Sequence, residues 1–278
     1  MKRIILAGLL AAAIFPVMAQ TAAPEAADAA PASALTANIG LFSSYRFRGI
    51  DQTFGKPALQ GGFDYAHSSG LYVGNWNSNV NSGAGYPSGN LEMDFYGGYK
   101  ASFGDFGIDV GAIYYYYPGT DASSSNGTSI TNARTTKVFN GHVDNKEIYI
   151  GGSWKFVSLK YFYSLGDYFS APETQGSNYL DLSANYDLGD GWGINGHLGS
   201  MKFKNYSNGI SNGDYTDWKL GVTKDIVGWV VGLSYIDTNA KGSCGRGEVY
   251  CFGNDLPGAT KTNDAGRAIA VLSVSKAF

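Results

Sequence analysis

The chain has 278 residues, of which 14% are aromatic, 39 are glycine and only 15% are charged, and its formal net charge is −3. Ordinary soluble domains carry about 25% charged residues and about 7% glycine. Low charge excludes a charge-rich disordered chain, a mild net charge argues against a nucleic-acid partner, and no apolar run beyond the N-terminus is long enough for a transmembrane helix. A glycine- and tyrosine-rich all-β protein remains.

Residues 1–19 have the pattern of a secretory signal peptide. Lys2 and Arg3 precede an apolar run that ends near Phe15, and Ala19 closes a small-residue cleavage pattern. We therefore expect cleavage after Ala19 and export of the mature chain. A single membrane anchor is the alternative, although the apolar run is short for a bilayer core of about 30 Å.

Residues 20–34 are rich in alanine and proline and contain too few large apolar side chains to bury a core. This composition predicts a flexible periplasmic segment. From Leu35 onward, apolar residues alternate with small or polar ones, and a period of two is typical of β-strands. Residues 35–278 are therefore predicted to form one β-domain.

The alternation divides this domain into about twelve segments of roughly ten residues. They predict strands at 35–47, 57–67, 70–80, 89–102, 105–117, 146–156, 157–166, 177–188, 191–203, 214–225, 228–238 and 265–278. Short turns and long connections alternate between them, which indicates an antiparallel up-and-down transmembrane β-barrel of the outer-membrane type. Ten or fourteen strands are alternatives, since an extra hairpin could lie within 118–145 or 238–265.

The two faces of the predicted strands differ in polarity. Leu91, Met93 and Phe95 share one face of their strand, whereas Glu92 and Asp94 share the other. Arg or Lys in the middle of a lipid-facing surface costs about 2–4 kcal/mol, so the polar faces are predicted to line the lumen. The candidate pore-lining residues are Arg46, Arg48, Asp64, Glu92, Asp94, Tyr96, Lys100, Asp109, Tyr115, Glu147, Lys160, Asp181, His197, Asp217, Lys219 and Arg267.

Arg46 and Arg48 project to the same side near the predicted outer mouth. One interpretation is a selectivity element, because charged side chains in a constriction filter ions by sign. The other is a structural network in which the arginines bind carboxylates on neighbouring strands and hold a plug. The luminal charges are mixed in sign, so neither a cation nor an anion preference follows. Tyr96 and Tyr115 are either platforms for a solute or fillers of the interior.

Amphipathic aromatic residues mark the predicted strand ends. Trp154, Trp192 and Trp229 fall on the apolar face beside short turns, which predicts an interfacial girdle at the periplasmic side. The tyrosines predicted to form the outer girdle are Tyr45, Tyr116, Tyr163 and Tyr235. The last strand ends at Phe278, and a terminal aromatic residue resembles the signal that the barrel-assembly machinery reads.

Few residues of the chain are suited to a catalytic or metal site. Cys244 and Cys251 lie close together in the last long connection, and an oxidising periplasm would join them in a disulfide. Of the three histidines, His197 is on the polar face of a strand, whereas an outer-membrane lipid hydrolase needs its histidine and serine at the lipid-facing surface. No catalytic residue, metal site or cofactor is predicted.

Three segments resemble the proteobacterial TorF family, whose members are classed with the porins on their architecture. They are YRFRGIDQ at 45–52, PALQGGFDY at 57–65 and GLYVGNWNSNV at 70–80. The resemblance extends over nearly the whole mature chain and includes the closing strand around 273–278. It implies an outer-membrane β-barrel and supplies no substrate, because a fold does not determine a function.

These observations predict a porin-like channel in the outer membrane of a Gram-negative bacterium, surrounded by lipid and passing small hydrophilic solutes by passive diffusion. Twelve strands lie between the eight of a filled barrel and the sixteen to eighteen of a wide pore, so a narrow channel is expected. The alternative is a closed barrel that displays surface loops for adhesion or structural contact. An outer-membrane enzyme is the third hypothesis.

Overall fold

The computed structural model describes residues 34–122, 131–253 and 261–278; the predicted signal peptide and residues 20–33 lie outside them. Twelve antiparallel strands of the described residues close into one barrel. Their bounds are β1 Leu35–Phe42, β2 Ala58–Ala66, β3 Leu71–Asn79, β4 Leu91–Phe103, β5 Phe106–Tyr116, β6 Asp144–Trp154, β7 Val157–Ser164, β8 Asn178–Gly189, β9 Trp192–Lys202, β10 Tyr215–Ile226, β11 Trp229–Thr238 and β12 Ile269–Ala277. The predicted all-β, up-and-down, twelve-stranded barrel is confirmed.

Each strand pairs with its neighbours in sequence, and β12 pairs with β1 to close the sheet. Closure pairs the backbone groups of every strand on both sides and leaves no free edge. Side chains alternate between the two surfaces, as the pleat of a strand requires. In β4, Leu91, Phe95 and Tyr99 are exposed on the outside, whereas Glu92 and Asp94 are buried inside.

Connections at the two ends of the barrel differ in length. Short turns join β2 to β3, β4 to β5, β6 to β7, β8 to β9 and β10 to β11, whereas long connections lie at the other end. The small hairpins of the described residues all lie in the long connections, and none joins the barrel sheet, so the ten- and fourteen-stranded alternatives are wrong. One of them, Arg46–Phe47 with Ile50–Asp51, follows β1. The others pair Thr131–Asn132 with Lys137–Val138 and Cys251–Gly253 with Thr262–Asp264. No helix in the described part of the chain is long and apolar enough to cross a membrane.

The first strand is shorter than predicted. β1 ends at Phe42 instead of residue 47, and all of residues 44–53 are buried in the barrel interior. Tyr45 is therefore inside the lumen, and its predicted place in an outer girdle is wrong. The chain bends at Ser43 and Ser44 and then turns inward across the end of the barrel, where Arg48 binds Glu147.

Three asparagines interrupt the apolar outer surface. Asn75, Asn77 and Asn79 lie on the outward face of β3. The amide of Asn75 donates to the backbone carbonyl of Asp94 at 3.0 Å, and the amide of Asn77 donates to Oδ1 of Asn75 at 2.6 Å. These bonds pair amide groups that would be costly to bury unpaired among apolar groups.

Candidate functional site

An inner hairpin, residues 44–53, fills the lumen at the end of the barrel that carries the long connections. Its two short strands, Arg46–Phe47 and Ile50–Asp51, pair antiparallel. The turn between them is made by Arg48 and Gly49, with φ angles of 49° and 81°. Two successive positive φ angles are typical of the tightest β-hairpin turns.

Gly49 brings this turn against strands β10 and β11 of the barrel wall. A Cβ atom at position 49 would lie 2.5 Å from Cγ2 of Thr238 and 2.8 Å from Cβ of Asp217. Both atoms belong to barrel strands, so a larger residue has no room. Glycine adopts the positive φ at this position without strain, and its lack of a side chain leaves room for Thr238 and Asp217.

The guanidinium of Arg48 forms a buried, bidentate ion pair with Glu147 on β6. Its Nη1 donates to Oε1 at 2.9 Å and its Nη2 donates to Oε2 at 2.7 Å. Nη1 also donates to the hydroxyl of Tyr168 at 3.1 Å. Burial is the largest single influence and lowers the pKa of Arg48, but Glu147 together with Tyr168 and Tyr115 outweighs it and raises that pKa well above its ordinary value. The guanidinium is therefore charged at any physiological pH.

Aromatic rings enclose the same guanidinium. Its central carbon lies 4.8 Å from the ring centroid of Phe47, 4.9 Å from that of Phe162 and 4.4 Å from that of Tyr179. Ring faces within about 6 Å attract a cation, more strongly where water is excluded. Ion pair and rings together form a cage around the Arg48 side chain.

Arg46 attaches the other side of the inner hairpin to the last long connection. Its Nη1 donates to the carbonyl of Ala265 at 2.8 Å, and its Nη2 lies 3.7 Å from Oδ2 of Asp51. The amide of Asn263 donates to that same Oδ2 at 2.7 Å. Burial lowers the pKa of Arg46, and Asp51 opposes this shift. Both arginines thus take part in a structural network that holds the inner hairpin in place.

A second luminal cluster lies nearer the short turns. Lys160 forms an ion pair with Oδ2 of Asp109 at 2.6 Å. The hydroxyl of Tyr72 donates to Oδ1 of the same carboxylate at 2.6 Å. The hydroxyl of Tyr96 donates to Asp64 at 2.5 Å. All are on inward faces, and tyrosine hydroxyls link the luminal charges into a network.

His197 lies between two carboxylates on neighbouring strands. Its Nδ1 is 2.9 Å from Oδ2 of Asp181, and its Nε2 is 2.8 Å from Oδ1 of Asp217. Nε2 is hydrogen-bonded to Asp217, and the negative charge of a carboxylate beside each nitrogen favours the doubly protonated imidazolium form of the ring. Such a ring has no free lone pair for general-base catalysis. The nearby hydroxyl of Ser183 donates to Oδ1 of Asp181 at 2.6 Å and lies 3.3 Å from Nδ1 of His197.

Glu92 and Asp94 form an acidic pair without a cationic partner among the described residues. Both side chains are fully buried. Glu92 accepts a hydrogen bond from the hydroxyl of Tyr117 at 2.8 Å, whereas neither oxygen of Asp94 has a hydrogen-bond partner.

The remaining predicted pore-lining residues divide into two groups. Lys100 and Lys219 lie on inward faces, and Tyr115, also inward, donates to Oε2 of Glu147 at 3.3 Å. Arg267 is exposed in the connection before β12, because that strand begins at Ile269 instead of residue 265. That Arg267 lines the pore stays a prediction.

The three tryptophans share one position in the fold. Trp154 is the last residue of β6, and Trp192 and Trp229 are the first residues of β9 and β11, all at the end with short turns. Each is exposed on the outer surface, and each ring has a lysine Nζ close to its centroid. The pairs are Lys155 with Trp154 at 5.0 Å, Lys224 with Trp192 at 5.0 Å and Lys276 with Trp229 at 5.4 Å.

The sequence profile of a bacterial family, described as a bacterial protein of unknown function (Gcw_chp), matches residues 26–278. The chain belongs to this family. No curated protein sequence matches it.

Three solved structures illustrate what the Gcw_chp chain is similar to in shape. The KdgM porin in complex with disordered oligogalacturonate is 8% identical over 88% of this chain and 97% of the porin, with a TM-score of 0.47. The NanC porin is 11% identical over 88% and 98%, with a TM-score of 0.47. OprD from Pseudomonas aeruginosa is 11% identical over 88% and 65%, with a TM-score of 0.39. No solute is inferred from similarities at this level.

Tyr179 and Tyr168 of the Arg48 cage are absent from the sequence-based candidates. Tyr179 shares the inward face of β8 with Asp181, so strand parity is a signal that identifies it. Tyr168 lies in a one-turn helix between β7 and β8, where no periodicity applies, and no signal in the sequence identifies it. The alternation along a strand therefore identifies inward-facing residues of the barrel strands. It gives no information about residues in the connections between the strands.

In this Gcw_chp protein Cys244 and Cys251 are joined by a disulfide in the last long connection. The ring contains Arg246, whose side chain is 71% exposed. Replacing both cysteines with serine is expected to speed tryptic cleavage after Arg246, because the closed ring restricts the backbone conformations that a protease needs. Cleavage is followed by mass spectrometry, with reduced wild-type protein as the control. Equal cleavage rates in the oxidised wild type and the double variant would contradict this role.

Proposed function

We propose that the protein is an outer-membrane channel for small hydrophilic solutes, with its lumen constricted at the long-connection end by the inner hairpin. The observation that carries the proposal is the inversion of polarity: the outward faces are apolar and the charged side chains point inward. A closed barrel satisfies its backbone hydrogen bonds internally, which is what a sheet needs to span a bilayer.

The ring of tryptophans supports a location in the membrane. Trp and Tyr are enriched where a bilayer meets water, and lysine side chains extend their ammonium groups toward the same interface. We propose that the Trp154, Trp192 and Trp229 girdle marks the periplasmic interface. Phe278 is exposed on the outside, and its backbone pairs with Ala37 of β1. It fits the proposed role of a terminal signal for the barrel-assembly machinery.

Several finer features belong to the same proposal. Residues 1–19 are proposed to be a signal peptide cleaved after Ala19, residues 20–34 a periplasmic segment, and the host a Gram-negative bacterium. The resemblance to the TorF family supports this placement. No catalysis is proposed, since both ring nitrogens of His197 face carboxylates.

Removing the inner hairpin tests the channel directly. Phe42 of β1 pairs with Ala58 of β2, so residues 44–56 can be replaced by a short glycine–serine turn that still closes the β1–β2 hairpin. We expect the variant to conduct several times more current per channel in planar bilayers than the wild type, because the hairpin no longer fills the lumen. The matched control shortens 205–212, a stretch without a buried residue in a connection at the same end, and leaves conductance unchanged.

The closed barrel that displays loops is the second candidate. It is favoured by the complete burial of residues 44–53, which is the packing of a filled interior. The planar-bilayer recordings described above distinguish the channel from the closed barrel. If neither the wild type nor the hairpin-replaced variant gives conductance steps, although both show the heat-modifiable gel mobility of a folded barrel, the channel is rejected and the display of loops is retained.

A further inference from the structure

We infer that the barrel wall carries a binding site for a guanidinium or ammonium group, and that Arg48 of the inner hairpin occupies this site as a tethered ligand. A free cationic solute would then compete with the hairpin for the same place. The opening of a pathway by such competition depends on the proposed channel function. The binding site does not, because it is inferred from the contacts of Arg48 alone.

The cage is built almost entirely by groups outside the hairpin. Glu147 belongs to β6, Phe162 to β7 and Tyr179 to β8, and Tyr168 lies in the connection between β7 and β8. Of the aromatic rings around the guanidinium, Phe47 alone moves with the hairpin. When the hairpin leaves, the carboxylate, the hydroxyl and two rings are left behind on the wall.

These groups are complementary to a planar cation. The carboxylate of Glu147 accepts two parallel N–H bonds, which is the fork geometry of guanidinium recognition. The rings of Phe162 and Tyr179 offer their faces to the same charge. An ammonium group has no planar fork and would make fewer of these contacts. The site should therefore prefer guanidinium to ammonium.

The tether determines how strong the competition must be. A group held by a short segment has an effective local concentration in the millimolar range or above. Free cations must therefore reach comparable concentrations to displace Arg48 from the wild-type cage. Removing the Arg48 side chain removes this competitor, so the vacated site should bind a free guanidinium more tightly than the wild type does.

The experiment uses ethylguanidinium, which matches the end of an arginine side chain, and N-ethylurea, a neutral molecule of nearly the same shape. We expect Arg48→Ala to bind ethylguanidinium at least about tenfold more tightly than the wild type in calorimetric titrations of the folded full-length protein, since it lacks the tethered competitor. Neither protein should bind N-ethylurea. Adding Glu147→Gln to Arg48→Ala should abolish binding.

Arg46→Ala is the matched control. It removes a buried arginine of the same hairpin that contacts Ala265 and Asp51 and is not part of the cage. Since Arg48 still occupies its site, ethylguanidinium should bind this variant as weakly as it binds the wild type. Tight binding by Arg46→Ala that survives Glu147→Gln would place the site elsewhere and overturn the proposal.

Heat-modifiable gel mobility establishes folding before each titration. If Arg48→Ala does not fold, the variant with residues 44–56 replaced vacates the same cage and takes its place. Binding of ethylguanidinium no tighter than that of N-ethylurea by the vacated protein would overturn the site. Conductance without such binding rejects the site and retains the channel, whereas binding without conductance retains the site and rejects the channel.

Discussion

Glu147→Ala is expected to lower the free energy of unfolding by about 3–5 kcal/mol, because it leaves the guanidinium of Arg48 buried without its carboxylate. Both side chains are nearly inaccessible to solvent, and the pair is bidentate. Tyr115 and Asn145 also lose their acceptor, which adds unpaired buried donors. The measurement is urea unfolding of the reconstituted protein, with the folded fraction read from heat-modifiable gel mobility.

A second glutamate provides the control. Glu173 forms an ion pair with Lys137, and both side chains are largely exposed. Exposed pairs contribute about 0–1 kcal/mol, so Glu173→Ala should leave the unfolding curve nearly unchanged. The double variant Glu147→Leu with Arg48→Met should recover much of the lost stability, since apolar residues of similar size can replace a buried ion pair at little cost. Equal losses for Glu147→Ala and Glu173→Ala would show that burial of the Arg48 pair contributes nothing.

The wall of the barrel could be predicted from the sequence because strand parity is a local property. Glu92, Asp94 and Asp109 alternate with apolar residues, and a pleated strand must place such residues on opposite surfaces. The number of strands follows in the same way from the spacing of the alternating segments. Each of these inferences needs only a window of about ten residues.

The inner hairpin could not be predicted in this way. Alternation continues through Tyr45 and Phe47 as if β1 extended further, since a hairpin packed inside the lumen also alternates. What distinguishes the two conformations is the partner of Arg48, which lies 99 residues away in Glu147. The lumen holds several carboxylates on inward faces, and no local pattern states which of them binds Arg48. Pairing of this kind is a property of the closed barrel.

Arginine substitutions of two outward-facing isoleucines test whether lipid surrounds the barrel. Ile150 lies in the middle of β6 and is 60% exposed, between the cross-strand neighbours Val110 and Tyr161. Ile226 is the last residue of β10, beside a short turn, and is 54% exposed. The two side chains have the same chemistry and nearly the same exposure, so they differ mainly in depth along the barrel.

Ile150→Arg is expected to lower the free energy of unfolding in lipid vesicles by about 2–4 kcal/mol, and Ile226→Arg by about 0–1 kcal/mol, because the cost of arginine on a lipid-facing surface falls from the bilayer midplane to the interface. Urea unfolding of both variants in vesicles gives the difference. In water neither position would be costly, since a substitution on an exposed surface usually changes stability by less than about 0.5 kcal/mol. Equal and small effects would therefore contradict a membrane around the middle of the barrel, whereas a large loss confined to Ile150→Arg would establish both the lipid contact and its depth.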